Sequence, residues 1–159
     1  LSPLTHPVAR PYYPCFFLAQ PAPLPETLIG AAPDAFFEAC LGGLGGAGLA
    51  PFPAAALDQY RAAWRRPETI RAMCDDYRAA LDVDLALDRA DLHRRVAAPA
   101  LVLWGAEAPM ARAYDVAESW TPRLDRMQGA AIPGGHFFPE ESPEATTAAL
   151  AQFLSTCAL

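Results

Sequence analysis

The sequence predicts an α/β chain with an incomplete sheet: a row of short helices, then a single strand–helix–strand–helix alternation. Two observations carry this. Helical apolar spacing recurs between residues 33 and 95 with no strand-like run among the helices. From Val96 the pattern changes to short apolar runs, Ala100–Trp104 and Gly129–Ile132, each followed by a helical segment. The bulk numbers agree. The 159 residues suffice for one domain with a core, and hydrophobic residues make up 53% without any apolar run of membrane-spanning length. The chain therefore reads as soluble, globular and cytoplasmic. A net charge of −6, with acids and bases interspersed, argues against a nucleic-acid surface. All twelve basic residues are arginine, and lysine and asparagine are absent; this reads as a composition bias without functional content.

The elements follow in order. Seven prolines before residue 29 disfavour regular helix there, except for a short turn at Cys15–Gln20. Pro33-Asp34 starts a helix through Cys40, with Asp34 placed to accept from free amides of the first turn. Leu41–Gly48 is glycine-rich and is expected to be a loop. Pro53–Trp64 is a helix with Leu57, Tyr60 and Trp64 on one face. Pro67-Glu68 opens the next, through Leu81, with Ile70, Met73, Cys74, Tyr77 and Leu81 along its apolar stripe. Leu85–Arg95 holds one more short helix.

Pro99 leads into Ala100–Trp104, a continuous apolar run left at Gly105, as in a strand buried on both faces of a parallel sheet. A helix over Met110–Trp120 and the strand Gly129–Ile132 come next. The chain closes with a helix over Pro143–Cys157 that turns Ala149, Leu150, Phe153 and Leu154 inward. Residues 1–95 form a helical unit and residues 96–159 the α/β unit. Two parallel strands alone leave both sheet edges unpaired and are almost never a stable domain. This, with a first residue that is leucine and not methionine, creates the expectation that further strands precede Leu1.

Chemistry concentrates after the second strand. Pro133-Gly134-Gly135-His136 is a turn in which glycine lets the backbone bend sharply and other groups come close. A histidine presented there suits a general base, because a neutral imidazole near its normal pKa can take a proton from water at pH 7. His6 and His93 sit in polar or proline-rich contexts and are expected to be solvated. Cys15, Cys40, Cys74 and Cys157 have no metal-ligand spacing and read as reduced thiols.

Four stretches together resemble the haloacetate dehalogenases, the α/β-hydrolases that include the fluoroacetate dehalogenases. They are Cys15–Gly30 (CFFLAQPAPLPETLIG), Cys74–Leu92 (CDDYRAALDVDLALDRADL), Pro99–Gly105 (PALVLWG) and Pro133–Glu144 (PGGHFFPEESPE). The likeness covers nearly all of the chain from Phe16 onward. It implies that the helical unit is most of a cap and the α/β unit the last two strands and helices of the hydrolase core. It also implies a two-step hydrolysis without metal or organic cofactor. An aspartate displaces halide from a small haloacid and forms an ester; a histidine then activates the water that cleaves it. His136 matches that histidine, and Tyr77 matches a tyrosine that donates to the leaving halide.

The chain departs from this pattern where the family carries a His-Trp pair for the halide; here stand Pro14 and Cys15, neither a comparable donor. The family's nucleophile, substrate-holding arginines and orienting acid match no residue of this sequence, and Glu107 is a poorly spaced substitute for the acid. The expectation is a fragment inactive alone, completed by pairing with an N-terminal half or assembling as a homodimer. An epoxide hydrolase, which tolerates loss of the halide pair, and a non-enzymatic fragment or pseudoenzyme are the alternatives.

Overall fold

A computed structural model describes residues 12–45 and 48–157. The N-terminal half is helical: α1 Tyr13–Leu18, α2 Leu24–Ala31, α3 Pro33–Gly45, α4 Ala54–Trp64, α5 Pro67–Ala79 and α6 Leu85–Ala90. A wide turn at Ala80–Asp84 joins α5 to α6. There follow β1 Val96–Gly105, α7 Pro109–Ala113, α8 Val116–Trp120, β2 Leu124–Ile132, α9 Phe138–Glu141 and α10 Pro143–Thr156.

Two helices extend beyond the sequence expectation. α2 forms despite its proline because Pro25 occupies the first turn, where a missing N–H costs no hydrogen bond. Pro25 and Ile29 are buried by it. α3 runs through the expected glycine loop as far as Gly45. Gly42 and Gly43 each cost about 1 kcal/mol in a helix interior, and Leu41 offsets this by packing on the core. That core is Leu18, Ile29, Phe37, Trp64, Ile70 and Cys74, drawn from all of α1–α5. An aromatic chain threads it: Phe36 meets Phe37 edge-on at 5.1 Å, and Phe37 stacks on Trp64 at 5.2 Å. The stripe on α5 is as expected for Ile70, Met73, Cys74 and Tyr77, but Leu81 is 52% exposed. The wide turn inserts an extra residue into the helical repeat, which rotates Leu81 off the stripe.

β1 and β2 are parallel, with Ala100 opposite Met127 and Gly105 opposite Ile132. Both strands are longer than the apolar runs that predict them. Their first residues are held by the Arg95 guanidinium, which bonds Asp125 and the Leu124 carbonyl, and by Arg126 on the Ala97 carbonyl. Leu101–Trp104 are half-buried, not covered on both faces, since β1 pairs with β2 alone among the described residues. The connection between the strands is two short helices rather than one, broken at Tyr114-Asp115, where the Asp115 side chain accepts from the Glu118 amide and starts α8. α10 turns Thr146, Ala149 and Phe153 inward. Leu150 and Leu154, expected inside, are 45% and 64% exposed. No helix among the described residues is long and apolar enough to cross a membrane.

Candidate active site

The site begins where the two strands end. The Ala106 amide donates to the Ile132 carbonyl at 2.8 Å, and the Glu107 amide to the Gly134 carbonyl at 2.9 Å. These bonds tie the exit of β1 to the turn after β2. Gly134 has φ +116°, a conformation that L side chains rarely adopt. Gly105 is required for another reason: a Cβ there would lie 1.8 Å from the Gly135 carbonyl oxygen. The histidine turn thus lies directly on the backbone of β1. Gly105→Ala is expected to displace the turn and cost about 1–3 kcal/mol, as overpacking does. Thermal unfolding and the His136 ring resonances would show it; a variant with both unchanged would contradict the close approach.

His136 is half-buried. The Phe137 ring stands edge-on to it at 5.0 Å and Tyr12 at 6.4 Å. Burial holds its pKa below the ordinary 6.5, partly opposed by the Glu141 carboxylate. The imidazole is therefore neutral at pH 7, the state a general base needs.

His136 faces a cavity of about 460 Å³ between the turn and the helical half. Tyr77 of α5 lines the same cavity, although fifty-nine positions separate the two in sequence. Burial, then the neighbouring Cys15 thiol, raises the Tyr77 pKa, so its hydroxyl remains a donor. Tyr60 and Trp64 contribute rings to the wall, and their polar atoms are already engaged. The Tyr60 hydroxyl donates to Glu140 at 2.5 Å, joining α4 to α9, and that carboxylate raises its pKa. The Trp64 indole donates to Asp34 at 2.7 Å. Arg65, then Trp64, lower the Asp34 pKa to about 2. The rest of the lining is largely aromatic and aliphatic.

Pro14 and Cys15 also line the cavity, so the departure from the dehalogenase pattern lies at the site itself. Cys40 lines it too, its thiol pushed up to about 11 by burial and so unsuited to act as a thiolate nucleophile at pH 7. Glu107 is exposed and lies outside the lining; it contributes only its backbone amide to the turn. His93 is exposed, and His6 lies outside the described residues. Among the described residues all four cysteines are free and no cluster of three or more His, Cys, Asp or Glu could hold a metal ion.

Sequence reasoning missed Glu140 and Glu141. Glu140 lines the cavity, and Glu141 accepts from the Gly135 amide at 2.5 Å. The available signal was two adjacent acids, Glu140 and Glu141, in the first turn of the helix that follows the histidine.

No protein-family model matches the chain. The chain is 46% identical over 148 residues to a fluoroacetate dehalogenase of Burkholderia sp., covering 93% of this chain and 49% of that one. A crystal structure of a candidate α/β-hydrolase from Nostoc sp PCC 7120 superposes with a TM-score of 0.92 and 41% identity, covering 98% of this chain and 53% of that one. A candidate epoxide hydrolase from Pseudomonas aeruginosa superposes at 0.88 with 39% identity, covering 98% and 52%. The chain thus spans about half the length of the proteins it resembles.

Proposed function

We propose that this chain, which carries part of an α/β-hydrolase fold and resembles the haloacetate dehalogenases, supplies the base and one halide donor for hydrolysis of a short haloacid. The observation that carries this reading is the shared cavity: His136 on the strand-end turn and Tyr77 on α5 line one half-open space. Residues 1–95 act as most of the cap and residues 96–159 as the last part of the core. The nucleophilic aspartate comes from outside these residues, in keeping with a chain half the length of its relatives. Glu140 is the sole carboxylate of the lining among the described residues, and the Tyr60 hydroxyl engages it.

The chemistry runs in two steps. The aspartate carboxylate attacks the halogen-bearing carbon in line, the carbon–halogen bond breaks with its electron pair, and halide leaves. The Tyr77 hydroxyl donates a hydrogen bond to the departing anion, which matters most for fluoride, the poorest leaving group. Water then adds to the ester carbonyl as His136 takes its proton. The ester C–O bond then breaks, the aspartate carboxylate is restored, and the imidazolium returns its proton to the departing alkoxide, which leaves as a hydroxy acid. No metal or organic cofactor is required. Alone, the chain is inactive, because a base without its nucleophile lacks the covalent step.

A second reading, epoxide hydrolysis by the same aspartate–histidine logic, is favoured by Pro14 and Cys15 at the cavity wall. A strained ring opens without a halide site, and one of the similar structures is that of a candidate epoxide hydrolase. The two readings separate in the full-length protein. Dehalogenation predicts halide release from chloroacetate, lowered in Tyr77→Phe by about tenfold or more, the loss of one strong donor. Diol formation from an epoxide with no halide release would replace the first reading with the second.

A further inference from the structure

We infer that Glu141 is a positioning residue for His136, bracing the glycine turn with one carboxylate oxygen and placing a buried negative charge beside the imidazole. This deepens the reading of His136 as the base and rests on it. Three observations converge. The Glu141 Oε2 accepts from the Gly135 amide, the residue next to the histidine, at 2.5 Å. The same carboxylate fills the space over Gly134: a Cβ there would lie 2.6 Å from Oε2. The other oxygen, Oε1, is buried and has no hydrogen-bond partner among the described residues. A buried carboxylate oxygen without a partner is costly and calls for an explanation. A charged imidazolium supplies one. When His136 takes the proton from water, the adjacent carboxylate stabilises the cation that forms. The brace also explains the local sequence. Glycine at 134 leaves room for the carboxylate, and the short α9 carries Glu141 back onto the turn.

The other ionisable groups around the ring have different engagements. Glu140, also on α9, is held by the Tyr60 hydroxyl. Tyr12 stands edge-on to the ring, and Tyr77, Cys15 and Cys40 are elsewhere on the cavity wall. None of them is bonded to the turn backbone among the described contacts.

The test is a set of NMR titrations of the full-length protein, following the His136 ring and the Gly135 amide. In the unsubstituted protein the Gly135 amide shift should follow protonation of the Glu141 carboxyl. Glu141→Gln keeps an acceptor but removes the charge; the His136 midpoint should move to lower pH while the Gly135 amide keeps its hydrogen-bonded shift. Glu141→Ala should move the midpoint the same way and release the amide. Glu140→Gln should leave the Gly135 amide unchanged. A Gly135 amide blind to the Glu141 carboxyl in the unsubstituted protein, or a His136 midpoint unmoved in Glu141→Gln, would overturn the assignment. The readout does not depend on turnover, so a braced histidine in a protein that hydrolyses nothing would sink the proposed activity alone.

Discussion

His136→Ala, introduced into the full-length protein, is expected to lower turnover by about 10²- to 10⁴-fold, the usual contribution of a positioned acid or base. The loss should fall on the second step only. The nucleophile still displaces halide, so each active site should release one equivalent of it and then stop. The ester should persist, and intact-protein mass spectrometry should show the added substrate mass. A neutral imidazole is what this step consumes, and burial at the turn keeps His136 in that form. Slow turnover with no trapped ester would place the role of His136 elsewhere.

Trp64→Ala is expected to cost about 3–5 kcal/mol, the range for removing a large buried aromatic. Trp64 is 7% exposed and stacks on Phe37 at 5.2 Å. Its indole also fixes Asp34 at the start of α3, where Arg65 holds the same carboxylate. Truncation therefore opens a void in the main helical core and removes a link between α3 and α4. Domains of this size are stable by only about 5–15 kcal/mol in total. The urea midpoint should drop steeply, and any activity should fall with it, since Trp64 also forms the cavity wall. Trp64→Phe, which keeps part of the stack, should lose less. A midpoint unchanged in Trp64→Ala would contradict the placement of the core.

The general plan was legible because its signals are local. Apolar spacing marked α4 and α5, and the run before Gly105 marked β1. What escaped depended on distant contacts. Pro25 looked like a helix breaker until its position in a first turn was known. Gly42 and Gly43 looked like a loop, yet Leu41 packs on a core built from four other helices. α10 is apolar on several sides, so composition could not say which face Thr146, Ala149 and Phe153 would bury. At the site, the Gly134-Gly135-His136 turn stood out, and Tyr77 came through the family resemblance. The reason for glycine at 105 could not be read from sequence, because the obstructing Gly135 carbonyl is thirty residues away. Glu141 was hidden for a similar reason: its role is a bond to the turn backbone.

In the proposed reaction these residues supply the base and a halide-side donor, and the nucleophile comes from elsewhere. Free halide is the most direct measure. The purified chain should release none from chloroacetate or fluoroacetate. Joined to an N-terminal segment bearing the nucleophilic aspartate, it should release halide at a rate that falls in His136→Ala. Halide release by the chain alone would contradict the account.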